Sequence, residues 1–225
     1  MPFSEGTLDF MALNRVMNSR EWFHAHHDEY ERLVVSPIAE LVEAIAPGME
    51  KIDPQLIIVP KVGKSISRIW RDTRRGPELP IYRDVMWITL LRGKYLGYPS
   101  FWFEFSPRIL RWGCGWYQTE PETVAAAREL IADNDPDWRA ALASFEKQSV
   151  FFLEDSRYKR TRHPEAPENI RVWLDQKSLC LIHEERNIEL LYSDELPSRL
   201  VRDFKRIAPV YYFFLKAVSR GKANA

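Results

Sequence analysis

The chain of 225 residues is 45% hydrophobic and 28% charged, with 9 Gly, 15 Pro and 2 Cys; that mixture excludes a disordered tail, a fibre and a small disulfide-stapled scaffold. Lys and Arg together number 32, as do Asp and Glu, so the net charge is zero; this argues against a generally basic nucleic-acid binder while leaving room for a local basic patch. The one excess is aromatic, 8 Trp, 9 Tyr and 12 Phe, rings that mostly fill cores rather than line pockets.

Leu8, Met11, Ala12 and Val16 recur at helical spacing over residues 7–17. Asn18 with Glu21 reads as a capping box. It opens a helix to about Val34 with Trp22, His26, Tyr30 and Leu33 on one stripe. Ser36-Pro37 predicts a new helix start and Pro47-Gly48 its stop. From Leu56 the pattern turns to strands: 56–59 between Pro54 and Pro60, then 66–73, 84–91, 101–105 and 109–117. Phe101, Phe103 and Phe105 share one face of theirs. Thr119 and Glu122 spell a second capping box, followed by an apolar stripe of Val124, Ala127, Leu130 and Ile131. Asp135-Pro136 starts a helix through Phe145, 169–176 reads helical, 179–183 reads as a strand, and Pro197 opens a last helical region divided or kinked near Pro209.

Helices, then sheet, then helices predict an α+β fold. The expected architecture is one domain over 1–225, with a central, mostly antiparallel or mixed sheet flanked by N-terminal and C-terminal helices. Cys114 and Cys180 stand in no Cys-x-x-Cys spacing, and the chain has neither a signal-like start nor an apolar run approaching ~18 residues. The expected location is the cytoplasm, with no membrane partner.

The densest polar segment is Arg68-Ile69-Trp70-Arg71-Asp72-Thr73-Arg74-Arg75. Four guanidiniums offer rigid forks of donors suited to phosphate or carboxylate, and an aspartate among them can orient them or take a proton. Period two puts Arg68, Trp70, Asp72 and Arg74 on one face. The plainer reading is a charged edge strand that resists pairing with other chains. Elsewhere, His24, His26, His27 and Asp28 crowd one helix without a zincin spacing, so no metal site is expected. Arg157, Lys159, Arg160 and Arg162 form a basic run of the kind usually solvated. No Walker loop, dinucleotide fingerprint or Gly-x-Ser-x-Gly occurs, and no cofactor is expected.

The Arg68–Arg74 stretch resembles the signature of domain of unknown function 2461, a family of conserved hypothetical proteins. Further pieces agree in order: Arg20-Glu21-Trp22-Phe23 with Tyr30-Glu31 after it, Phe101 to Pro107, Gly113-Cys114-Gly115-Trp116-Tyr117, Tyr158-Lys159-Arg160 and Lys177-Ser178-Leu179. The resemblance implies an α+β domain and brings no established activity, so no catalytic residue is carried over from it. The family's usual Lys-Thr-Pro-Tyr-Lys stretch is replaced here by Glu78-Leu79-Pro80-Ile81-Tyr82-Arg83, which lacks the first lysine. The leading expectation is a sheltered pocket for a small phosphate- or carboxylate-bearing ligand. In it Arg68, Arg71, Asp72, Arg74, Tyr82, Lys159 and Lys177 gather with Trp22 and Trp70, and Asp72 is the candidate catalytic group. The alternative is a non-enzymatic interaction protein whose Arg-Asp cluster is an internal salt-bridge network. A third reading, nucleic-acid binding through the basic segments, is weaker given the charge balance. Neither a reaction nor an oligomeric state is specified.

Overall fold

The computed structural model describes residues 3–76, 78–93 and 97–224, with the side chains of Arg75 and Asn224 outside the described set. The chain is α+β. Its antiparallel sheet comprises β1 (Met86–Leu90), β2 (Ser100–Phe105), β3 (Leu110–Gly115), β4 (Phe152–Leu153) and β5 (Cys180–Glu185), in the order β1-β2-β3-β5-β4. β4 meets β5 with Phe152 opposite Ile182 and Leu153 opposite Leu181. In β2 the alternation is complete: Phe101, Phe103 and Phe105 are buried and the residues between them are not.

The N-terminal helices are α1 (Glu5–Met17), α2 (Arg20–Ala25), α3 (His27–Tyr30) and α4 (Ser36–Glu50). Asn18 is not the start of α2. It ends α1 in a left-handed conformation, φ 47°, which Asn tolerates better than most residues. Ser19 caps α2 instead, its hydroxyl accepting from the Trp22 N–H at 3.2 Å. α4 does begin at Ser36 with Pro37 in its first turn, as expected, but without a side-chain cap. The backbone before it is already helical, in a π-helical stretch at Glu31–Val35. Pro47 sits inside the last turn of α4, and a Cβ at Gly48 would meet Val201 Cγ1 at 2.5 Å, so close packing demands glycine there.

Residues 56–59 form no strand. Ser65 ties them into a loop, its Oγ accepting from the Val59 N–H at 2.9 Å, and Ile57 stays exposed. The segment expected as strand 66–73 makes isolated bridges, Ile66 to Ile88 and Trp70 to Tyr82, before a 3-10 turn at Thr73–Arg75. The later helices are α5 (Pro121–Ala132), α6 (Pro136–Glu146), α7 (Glu168–Leu174), α8 (Glu189–Tyr192), α9 (Leu196–Arg206) and α10 (Ala208–Asn224). Asp135 caps α6 as its sequence suggests, accepting from the Asp137 N–H at 2.9 Å. Thr119 is no cap: its buried side chain accepts from the Leu179 N–H.

The contacts divide into two compact units. The first comprises Met1–Leu90, Trp102–Trp112 and Glu184–Val201; the second, Leu91–Phe101, Gly113–His183 and Arg202–Ala225. In the first, Phe10, Trp22, Phe23, Tyr30 and Tyr82 form a chain of ring contacts 4.9–6.1 Å apart, and α4 buries its stripe Ile38, Leu41, Val42 and Ile45. In the second, α10 packs on α5 and α6, and Trp138 lies 5.4 Å from Trp173 and 5.3 Å from Phe213. There Gly115 adopts φ 137°, and a Cβ would fall 2.2 Å from the Leu179 carbonyl oxygen. The aromatic surplus is thus mostly core.

Candidate functional site

The polar segment 66–71 runs against 81–88 through Ser67 N–H to Trp87 O (2.9 Å), Arg83 N–H to Ile69 O (2.8 Å) and Arg71 N–H to Ile81 O (2.7 Å). This pairing sorts the side chains by parity. Ser67 and Ile69 are buried, whereas Arg68 and Trp70 are exposed. Arg71 follows Ile69 inward: it is half-buried, and its Nε is shielded from solvent without a hydrogen-bond acceptor among the described residues. At Asp72 the alternation ends. Its carboxylate caps the 3-10 turn by accepting from the Arg74 N–H (3.2 Å) and clasps the Arg74 guanidinium, Nε to Oδ1 at 2.9 Å and Nη2 to Oδ2 at 2.8 Å.

The clasp corrects one expectation. Asp72 and Arg74 are not in a sheltered hollow; their side chains are 45% and 87% exposed. A bidentate pair two residues apart closes on itself and needs no help from the interior. The grouping of Arg68, Trp70, Asp72 and Arg74 therefore holds only up to the turn, and Arg71 belongs to the other face.

What lies by Arg71 is a second arginine. Arg83 donates from Nη1 to the carbonyl oxygens of Arg68 (2.9 Å) and Trp70 (2.8 Å), with its Cζ 5.0 Å from the centre of the Trp87 ring. Burial, and then the charge of Arg71, holds the Arg83 guanidinium below its ordinary value. Neither arginine pairs with a carboxylate among the described residues. Tyr82 is buried against Phe23, which pushes its hydroxyl up, while the charge of nearby Arg20 pulls it partly back. Trp22 is half-buried and stacks on His26 at 4.0 Å. The helix histidines are engaged locally: His26 Nδ1 lies 2.8 Å from the Trp22 carbonyl oxygen and His27 3.7 Å from Glu31.

The two predicted lysines belong to the second unit. Lys159 is exposed and lines a cavity of about 440 Å³ together with Asp155, Arg157, Glu168, Arg171 and Asp175. Lys177 Nζ lies 5.8 Å from the centre of the Tyr158 ring, and its charge also reaches Asp155. The nine predicted residues thus form two groups, seven in the first unit and two in the second.

A model of a conserved hypothetical protein family, DUF2461, matches residues 6–213. The chain belongs to that family. No curated protein matches it. The matched span includes the Arg68–Arg74 segment, the Tyr82-Arg83 pair and the Lys159 and Lys177 positions, so family membership covers both groups. Sequence reasoning left Arg83 and Arg20 out of the candidate set. The signal for Arg83 was strand pairing: once Trp70 faces Tyr82, Arg83 pairs with Ile69, the residue whose face Arg71 shares. Cys114 offers no nucleophile, because burial, reinforced by the charge of Cys180, pushes its thiol well above its ordinary value.

Proposed function

We propose that the family's arginine motif binds a small phosphate- or carboxylate-bearing ligand, with Arg71 and Arg83 as the principal contacts. The observation that carries this reading is the shielded Arg71 Nε without an acceptor. A guanidinium cannot shed its charge near neutral pH, and a buried donor left unpaired costs about 1–3 kcal/mol. An incoming oxyanion removes that cost and relieves the repulsion between two neighbouring cations. Arg74 serves as an outer, solvent-facing cation held by Asp72. A proton-accepting role for Asp72 would require its clasp with Arg74 to open. The reading also assigns a cytoplasmic location, supported by two buried cysteines that stand outside any disulfide.

The test is thermal and calorimetric titration with inorganic phosphate and with citrate. At about a hundredfold excess over Kd, a bound anion adds ~2.7 kcal/mol to wild-type stability. Arg71→Ala is expected to abolish that gain while unfolding no earlier in the absence of anion. Equal binding by the variant, or a variant that melts early and still binds, overturns the proposal in favour of a structural role for the motif.

A further inference from the structure

The cavity of about 440 Å³ in the second unit has the volume of small-molecule sites, and nothing in the reading of the arginine motif uses it. Its wall carries both signs of charge: Arg157, Lys159 and Arg171 against Asp155, Glu168 and Asp175. Most of these are spent internally. Arg157 clasps Asp155 with Nε and Nη2 at 2.9 and 2.8 Å. Asp175 is buried, which by itself would raise its carboxyl. Hydrogen bonds from the Thr161 hydroxyl and the Arg162 N–H, with the charges of His163 and Arg171, hold it below the ordinary value instead.

Arg171 donates from Nη1 to the Pro164 carbonyl oxygen at 3.3 Å and its charge offsets that of Asp175, which leaves two charges as the least engaged. Lys159 has no ion-pair or hydrogen-bond partner among the described residues. Glu168, 84% exposed, is held only loosely by Arg171 at 3.7 Å, a separation at which a solvated pair contributes little. Aromatic stacking is not on offer, because Arg162 Cζ lies 3.6 Å from the centre of the Tyr158 ring and Arg128 and Lys177 approach to 5.8 Å. Recognition therefore falls to charge. A purely anionic guest would gain Lys159 and meet Glu168; a purely cationic one would do the reverse.

We propose that this cavity binds a dipolar small molecule, a free amino acid or short peptide, whose carboxylate meets Lys159 and whose ammonium meets Glu168. Calorimetric titration of the full chain with L-alanyl-L-alanine, its N-acetyl form and its C-terminal amide tests this. The free dipeptide is expected to bind about tenfold more tightly than either capped form. Lys159→Ala should bring the free dipeptide down to the level of the amide, and Glu168→Gln down to that of the acetylated form. Both side chains are exposed, so both variants are expected to fold, which circular dichroism checks. No saturable binding of the free dipeptide to the wild type, equal binding of all three probes, or indifference to both substitutions overturns the proposal.

Discussion

The chain makes the same small structure twice. Asp72-Thr73-Arg74 and Asp155-Ser156-Arg157 each close a clasp in which the arginine N–H and Nε approach one carboxylate oxygen and Nη2 the other. The distances are 3.2, 2.9 and 2.8 Å in the first and 3.1, 2.9 and 2.8 Å in the second. What surrounds them differs. The first caps a 3-10 turn in the open. The second is fastened by the bridge from Arg157 to Gln176 and by the Gln176 side chain, whose Oε1 accepts from the Ser156 N–H at 2.8 Å, and it lines a cavity. An Asp-x-Arg clasp is thus a local event that identifies no site by itself. The second lines a cavity, and in the motif the arginine proposed above to meet an anion is Arg71, outside the clasp.

Three substitutions probe that contrast. The largest effect belongs to the fastening. Gln176 is buried, and Gln176→Ala strands the Ser156 N–H, so it is expected to cost about 1–3 kcal/mol in urea unfolding; a loss within error would show that the second clasp stands as freely as the first. The next is a titration. The side-chain bond from Arg157, then its backbone N–H, holds the Asp155 carboxyl well below the usual carboxylate range. Because the folded value is depressed, the clasp's contribution is complete above the unfolded value of about 3.9 and is lost as pH falls below it. NMR should find Asp155 still ionised at pH 4 in the wild type, and titrating in the ordinary range in Arg157→Ala. A normal wild-type titration would mean that the clasp is not populated in solution. The smallest effect is expected from Asp72→Asn, whose pair is solvated: the urea midpoint should not move resolvably. A clear drop would restore a structural role to the motif's carboxylate.

Much of the local structure was legible in the residues. The β2 alternation, the Asp135 cap and the break between α9 and α10 beside Pro209 all follow from side-chain period or from cap and proline chemistry. Elsewhere a locally sound reading lost to a longer-range partner. Asn18 gave its side chain to the Ile81 N–H at 2.7 Å rather than to a helix start, Thr119 turned to Leu179 and Ser178, and residues 56–59 were claimed by Ser65.

The candidate site divides along the same line. Sequence alone determined that guanidiniums are concentrated at 68–74, that a carboxylate among them could pair with a neighbour, and that the rings would mostly be core, because those outcomes depend on residue type and spacing within a turn or two. Tertiary structure decided that Arg71 turns inward while Asp72 and Arg74 stay in solvent, that Arg83 joins Arg71, and that Lys159 borders a cavity with acids as well as bases. Those outcomes depend on which segment supplies the opposing backbone hydrogen bonds: pairing fixes parity, and parity decides which charges lose their water.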